Sequence, residues 1–178
     1  MKSESIKKLV IAAMFTAMTT VATMVIRVPS FATNGYVNIG DALVLMCAWV
    51  LGGPVGALAA GLGSGLADLL AGYVSYVPGT FVIKFAMALA AYFIYKLFIK
   101  KPSLKIPGYI VSAIVAELIM IGGYFVYESL ILGYGLGAVP SIWSNAIQGI
   151  TCTCLGLILV LSLNGTKAVR AHMQSSKQ

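Results

Sequence analysis

Apolar residues run along this chain in long unbroken blocks separated by short polar, turn-rich stretches. The first block, about Leu9 to Ile26, follows Lys7 and Lys8. It is long for the apolar part of a signal peptide and is read as a retained span. The polar stretch Arg27 to Gly40 (RVPSFATNGYVNIG) comes next, with Pro29, Asn34, Gly35 and Gly40 as turn signals. From Asp41 to Leu70 the chain is again almost wholly apolar, but Gly52, Gly53 and Pro54 break it. That break predicts two short helices, Asp41 to Leu51 and Val55 to Leu70. Further spans follow at about Phe81 to Phe98, Ile106 to Tyr127 and Ser141 to Leu163. None of these blocks shows the alternation of a membrane-barrel strand. The expected fold is an all-α membrane protein, a six-transmembrane-helix bundle forming one domain over residues 1–178. The second span is short, and it is expected to tilt or to extend into Gly35 to Gly40.

Composition narrows the class. Of 178 residues, 60% are hydrophobic and 10% charged, where a soluble domain carries about 25% charged residues. A soluble globular fold, a disordered chain and a large extramembrane catalytic domain are all excluded. The net charge of +7 does not call for nucleic acid, because its placement explains it. With six spans and the N-terminus inside, Lys2, Lys7, Lys8, Lys96, Lys100, Lys101, Lys105, Lys167, Arg170 and Lys177 all face the cytoplasm. Were Asp41 to Leu70 one span, the loop KKPSLK would face outward and the bias would break. Both termini are therefore expected to be cytoplasmic. Cys47, Cys152 and Cys154 lie inside apolar blocks and read as packing residues. The single histidine, His172, sits in the polar tail, so a multi-histidine metal site is not available.

Charged groups inside a membrane are costly and each needs a reason. In this topology Asp41, Asp68, Lys84, Tyr124, Glu128, Asn145 and Gln148 fall in the outer half of the bundle, and Glu117 lies near mid-span. Glu117, Ile121, Tyr124 and Glu128 share one helical face, and so do Ser141, Asn145, Gln148 and Cys152. Tyr73, Tyr76, Phe81 and Trp143 lie at the same depth. Aromatic walls with a few placed polar groups suit a small flat ligand. Structural readings stand beside this one. Asp68 with Lys84 reads equally as a buried ion pair, Asn145 and Gln148 as interhelical glue, Asp41 as a helix cap, and Tyr109 and Tyr134 as interface anchors. Ala13 and Ala17, and the glycines Gly52, Gly56, Gly61 and Gly65, form small-residue seams. The glycine seam reads as internal packing and the alanine seam as a partner face. Nucleotide-binding, metalloprotease and nucleophile-elbow motifs are missing, which weighs against an intramembrane enzyme built on Glu117 or Asp68.

The stretch Tyr36 to Lys84 resembles the substrate-binding S components of energy-coupling factor (ECF) vitamin transporters, in the riboflavin, hydroxymethylpyrimidine and pyridoxine branch. The pieces that carry it are Asn38-Ile39-Gly40-Asp41, Gly53-Pro54-Val55-Gly56, Gly63-Ser64-Gly65-Leu66-Ala67-Asp68 and Tyr76-Val77-Pro78, with Ala13 and Ala17 matching the alanine motif. The resemblance implies a multi-pass protein of the bacterial plasma membrane that binds a vitamin or precursor near its outer surface under the loop Arg27 to Gly40. It implies docking through Ala13 and Ala17 on a transmembrane coupling subunit driven by two ATPase subunits. ATP would be used by those partners, with no cofactor in this chain and no nucleic acid. The expected ligand contacts are Asn38, Asp41, Asp68, Tyr73, Lys84, Glu117, Tyr124, Asn145 and Gln148. The alternative is a ligand-free membrane assembly subunit, in which the polar layer is only helix glue.

Overall fold

The computed structural model describes residues 2–29 and 35–164. Asn34, Lys167, Arg170, His172 and Lys177 lie outside the described residues. Six helices follow one another: α1 (Lys2–Val25), α2 (Asp41–Met46), α3 (Gly53–Leu70), α4 (Val77–Phe98), α5 (Lys105–Val126) and α6 (Val139–Asn164). Two wider π-type turns, Cys47–Leu51 and Tyr127–Ile131, prolong α2 and α5. Five helical segments are long and apolar enough to cross a membrane, and Asp41–Leu51 is a shorter apolar helix.

Of the two expectations for the second span, the extension fails. The helix does not extend into Gly35 to Gly40. There the chain forms a small antiparallel hairpin, β1 (Arg27–Pro29) with β2 (Tyr36–Asn38), in which Val28 pairs with Val37. The helical segment stays at 11 residues, about 16 Å. It tolerates that length because it is buried nearly all round: Val44, Leu45, Met46, Cys47, Ala48 and Trp49 are at most 3% exposed. A helix apolar on every face belongs inside. The neighbours close around it, with α1 packed on α3, α3 on α4, α4 on α5, α5 on α6, and α6 on α2.

Glycines set how closely these helices approach. Gly52 and Gly53, with φ of 67° and 55°, make the turn between α2 and α3 that the Gly-Gly-Pro break predicted. A Cβ on Gly61 would lie 2.9 Å from the Phe81 carbonyl oxygen of α4. One on Gly63 would lie 2.7 Å from the Thr16 carbonyl oxygen of α1, and the Thr20 hydroxyl donates across the same seam to the Gly63 carbonyl at 2.9 Å. The glycine seam is internal packing, as expected. Gly63→Leu must push α1 off α3, so it is expected to cost about 1–3 kcal/mol of stability. Thermal unfolding in detergent checks this, with Leu62→Ala on the exposed face as the silent control; an unchanged Gly63→Leu midpoint would disprove the close seam.

The two ends of the bundle differ. At one end α4 turns into α5 through Lys96, Lys100, Lys101 and Lys105, and α1 begins with Lys7 and Lys8. Here Tyr109 is fully buried rather than an interface anchor. Its ring stacks on Tyr95 at 4.4 Å, its hydroxyl accepts from the Tyr95 hydroxyl at 2.9 Å, and Trp49 Nε1 donates to Ser112 Oγ at 3.0 Å alongside. Interior space at this lysine end is filled by packed rings. The opposite end carries the hairpin, the start of α2, the end of α3, the start of α4, the end of α5 and the start of α6.

Candidate functional site

Buried charge gathers toward the hairpin end. Asp41 is the first residue of α2 and its carboxylate is not a helix cap. One oxygen, Oδ1, accepts from Lys84 Nζ of α4 at 2.5 Å, and the other, Oδ2, accepts from Gln148 Nε2 of α6 at 2.5 Å. Lys84 therefore pairs with Asp41 and not with Asp68, which corrects the expected ion pair. The Gln148 carbonyl accepts the Asn38 backbone N–H at 2.7 Å, and the Cys152 thiol donates to the Asn38 carbonyl at 3.5 Å. A continuous polar chain thus ties α4, α2, α6 and strand β2 together. The Asn38 side chain is used locally, accepting from the Gly40 N–H at 2.8 Å, an Asx-type turn.

Above this chain lies a cavity lined by Tyr36, Asn38, Asp68, Tyr76, Thr80, Tyr124, Glu128, Ser141, Ser144, Asn145 and Gln148. The hairpin residues Gly35, Tyr36 and Val37 form its cover. Asp68, near the end of α3, accepts the Tyr36 hydroxyl at 2.6 Å. Burial, and then the Asp68 carboxylate, push the Tyr36 hydroxyl above its ordinary pKa, so it remains a donor. Glu128, in the π turn after α5, accepts the Tyr76 hydroxyl at 3.1 Å. Thr80 and Tyr124 share a hydrogen bond of 3.0 Å. The free space is about 30 Å³, room for a water molecule and far less than a vitamin ring needs. A ligand therefore enters only if the hairpin and the side chains beneath it move.

Five of the nine expected ligand contacts line this cavity together: Asn38, Asp68, Tyr124, Asn145 and Gln148. Asp41, Lys84, Glu117 and Tyr73 do not line it. Asp41 and Lys84 form the layer beneath, reached through Gln148. Glu117 is 5% exposed and packs against Gly149 of α6, and neither carboxyl oxygen has a hydrogen-bond partner among the described residues. Tyr73 sits behind the wall, its ring 4.6 Å from that of Tyr36. Trp143, expected among the aromatic walls, is 75% exposed and points away from the bundle. Phe81 packs on Gly61 and Phe85. Sequence reasoning did not assign Tyr36, Thr80 or Ser144 to the site; Tyr76 was expected among the aromatic walls and lines the cavity, while Glu128 and Ser141 were placed on the polar stripes but not among the ligand contacts. The two polar stripes were the signal for Glu128 and Ser141, whereas Tyr36 shares a face with Asn38 only through a strand too short to register in the sequence. Among the described residues no three His, Cys, Asp or Glu side chains group as a metal site.

On the outside of the bundle, Ala13 and Ala17 are both exposed on α1. Met14 and Met18, at 58% and 51% exposure, lie beside them, and Val21 and Val25 continue the apolar face.

The comparisons agree with this architecture. The model of the ECF-type riboflavin transporter S component family matches residues 3–165. A Pyrococcus woesei protein described as an uncharacterized protein in a gap 3'region is 30% identical over 137 residues, covering 77% of this chain and 88% of its own. The thiamine precursor transporter HmpT of Lactococcus lactis subsp. cremoris is 27% identical over 161 residues, 89% of each chain. A solved structure described as the S component of a bacterial ECF transporter superposes with a TM-score of 0.65 over 90% of this chain and 96% of that one, at 21% identity. The chain is a membrane-embedded, multi-pass transport protein and belongs to the ECF-type riboflavin transporter S component family.

Proposed function

We propose that this chain is the substrate-binding subunit of an ATP-driven importer and takes up a vitamin or vitamin precursor, with hydroxymethylpyrimidine or pyridoxine favoured over riboflavin. The observation that carries the reading is the covered polar chamber at the hairpin end. It gathers two carboxylates, three tyrosine hydroxyls and three side-chain amides in an otherwise apolar bundle. Such groups are too costly in a membrane to be gathered without a purpose. The name of the Lactococcus lactis relative favours a thiamine precursor, and the family description keeps riboflavin in view. Asn38, Asp68, Tyr124, Asn145 and Gln148 would contact the ligand directly. Asp41, Lys84 and Glu117 would form the floor, and Tyr73 would hold Tyr36 in place.

In this reading the hairpin end faces outward and the lysine end faces the cytoplasm, because Lys96, Lys100, Lys101 and Lys105 follow the positive-inside bias. Both termini are then cytoplasmic. The exposed small-residue seam of Ala13 and Ala17 would receive a transmembrane coupling subunit, which two ATPase subunits drive.

Asn145 tests the chamber directly. It is 8% exposed, lines the cavity, and has no hydrogen bond among the described residues. Its removal costs the ligand a partner and the fold little. Asn145→Ala is expected to weaken binding by about tenfold or more, the loss of one buried hydrogen bond, with the ligand-free unfolding midpoint unchanged. Calorimetric titration of purified protein measures this; unchanged affinity would take Asn145 out of the site.

A further inference from the structure

We infer that the hairpin-end chamber selects a ligand that brings hydrogen-bond donors and no negative charge, and that it rejects the phosphorylated form of the same compound. The inference rests on the proposed binding function and deepens it to a ligand class. It comes from counting protons in the chamber wall. A hydroxyl has one proton to give and two lone pairs to receive with. The Tyr36 proton goes to Asp68 and the Tyr76 proton goes to Glu128. The Ser141 and Ser144 protons go to the carbonyls of Ala138 and Ser141 at 2.8 and 3.1 Å. Thr80 and Tyr124 bond to each other, which leaves one proton between them. The Gln148 amide gives a proton to Asp41 and receives one from Asn38. What the hydroxyls and carboxylates still offer is mostly lone pairs. The N–H donors that remain are on amides: Asn145, more than nine-tenths buried and without a partner among the described residues, Asn38, whose side-chain oxygen alone is used, and the second N–H of Gln148.

Charge points the same way. Asp68 and Glu128, 4% and 3% exposed, line the chamber, and no lysine or arginine is among its described lining residues. The buried cation nearby, Lys84, is bound to Asp41 in the layer beneath. Arg27 stands outside on exposed β1, its guanidinium 5.9 Å from the Tyr36 ring centre. Helix ends do not reverse the sign. Three helices begin at this end and three finish there, so their terminal partial charges of about half a unit each largely cancel. A phosphate dianion here would meet two carboxylates, with neutral amide N–H groups but no cation among the described lining residues to receive it. An aminated or hydroxymethylated heteroaromatic ring would hand its protons to acceptors already in place.

The test uses matched pairs that differ only by one phosphate: hydroxymethylpyrimidine, pyridoxine and riboflavin, each beside its monophosphate. Binding to the purified full-length chain is measured by calorimetry or ligand-induced thermal stabilisation. The expected result is that at least one parent binds and its phosphate binds at least about 100-fold more weakly, the scale of a buried like-charge clash. Asp68→Asn and Glu128→Gln are then expected to narrow that ratio, a readout that a purely structural role would not move. A parent and its phosphate binding with similar affinity would overturn the inference while leaving the transport reading intact. Tighter binding of the phosphate, lost in Arg27→Ala, would overturn it and move the recognition site to the rim. No binding by any parent would overturn both readings together.

Discussion

Lys84→Met is expected to be the most destabilising single change in the bundle. Lys84 is 2% exposed and donates to Asp41, which is fully buried. Removing the lysine leaves a buried carboxylate whose remaining side-chain partner among the described residues is the Gln148 amide. Breaking one partner of a buried pair costs about 3–5 kcal/mol, whereas removing both charges is often close to neutral. The double variant Asp41→Asn with Lys84→Met should therefore recover most of the loss. Thermal unfolding of the ligand-free protein reads this directly. If the single and double variants unfolded at the same temperature, Lys84 and Asp41 would not be coupled. Because Gln148 also holds Asn38, the lysine variant should loosen the hairpin and reduce ligand affinity along with stability.

The second large effect is expected on uptake and not on binding. Ala13 and Ala17 are exposed on α1 and touch none of the chamber groups. Small residues on such a face let another helix approach closely. Replacing both by Trp should abolish ATP-driven uptake by cells while the purified subunit binds its ligand with unchanged affinity. Reconstituted uptake and calorimetry on the same preparation separate the two. Normal uptake by the double Trp variant would remove this face from the coupling interface. Loss of binding instead would mean that the substitutions had reached the chamber through α3.

Much of this was legible in the residues. Unbroken apolar blocks and the Gly-Gly-Pro break located the helices, and helical spacing put Glu117, Tyr124 and Glu128 on one face and Ser141, Asn145 and Gln148 on another. Depth in the membrane follows from position along a helix. Direction around the axis is harder, and the errors lie there. Asp68 and Asp41 have similar depth, but only the fold decides which of them faces Lys84. Trp143 precedes Asn145 by two residues, about 200° around the helix, so its outward direction could have been read from the polar stripe. The hairpin was not legible as strands. Its two arms are three residues each, with Pro29 ending one, too short for alternation to register. That hairpin matters because it brings Tyr36 over Asp68 and closes the chamber. Tyr109 was misplaced for a simpler reason: a tyrosine near a helix end is an interface anchor only if its ring faces outward, and here the Tyr95 ring holds it inside.

The most direct test of the account is a titration of the purified, folded chain with hydroxymethylpyrimidine, pyridoxine and riboflavin, with the Asn145→Ala variant run in parallel. The expected result is saturable binding of at least one of them at one molecule per chain, weakened by the substitution. A folded protein that binds none of the three, or binds one equally well with and without Asn145, would contradict the assignment of the hairpin-end chamber as the substrate site.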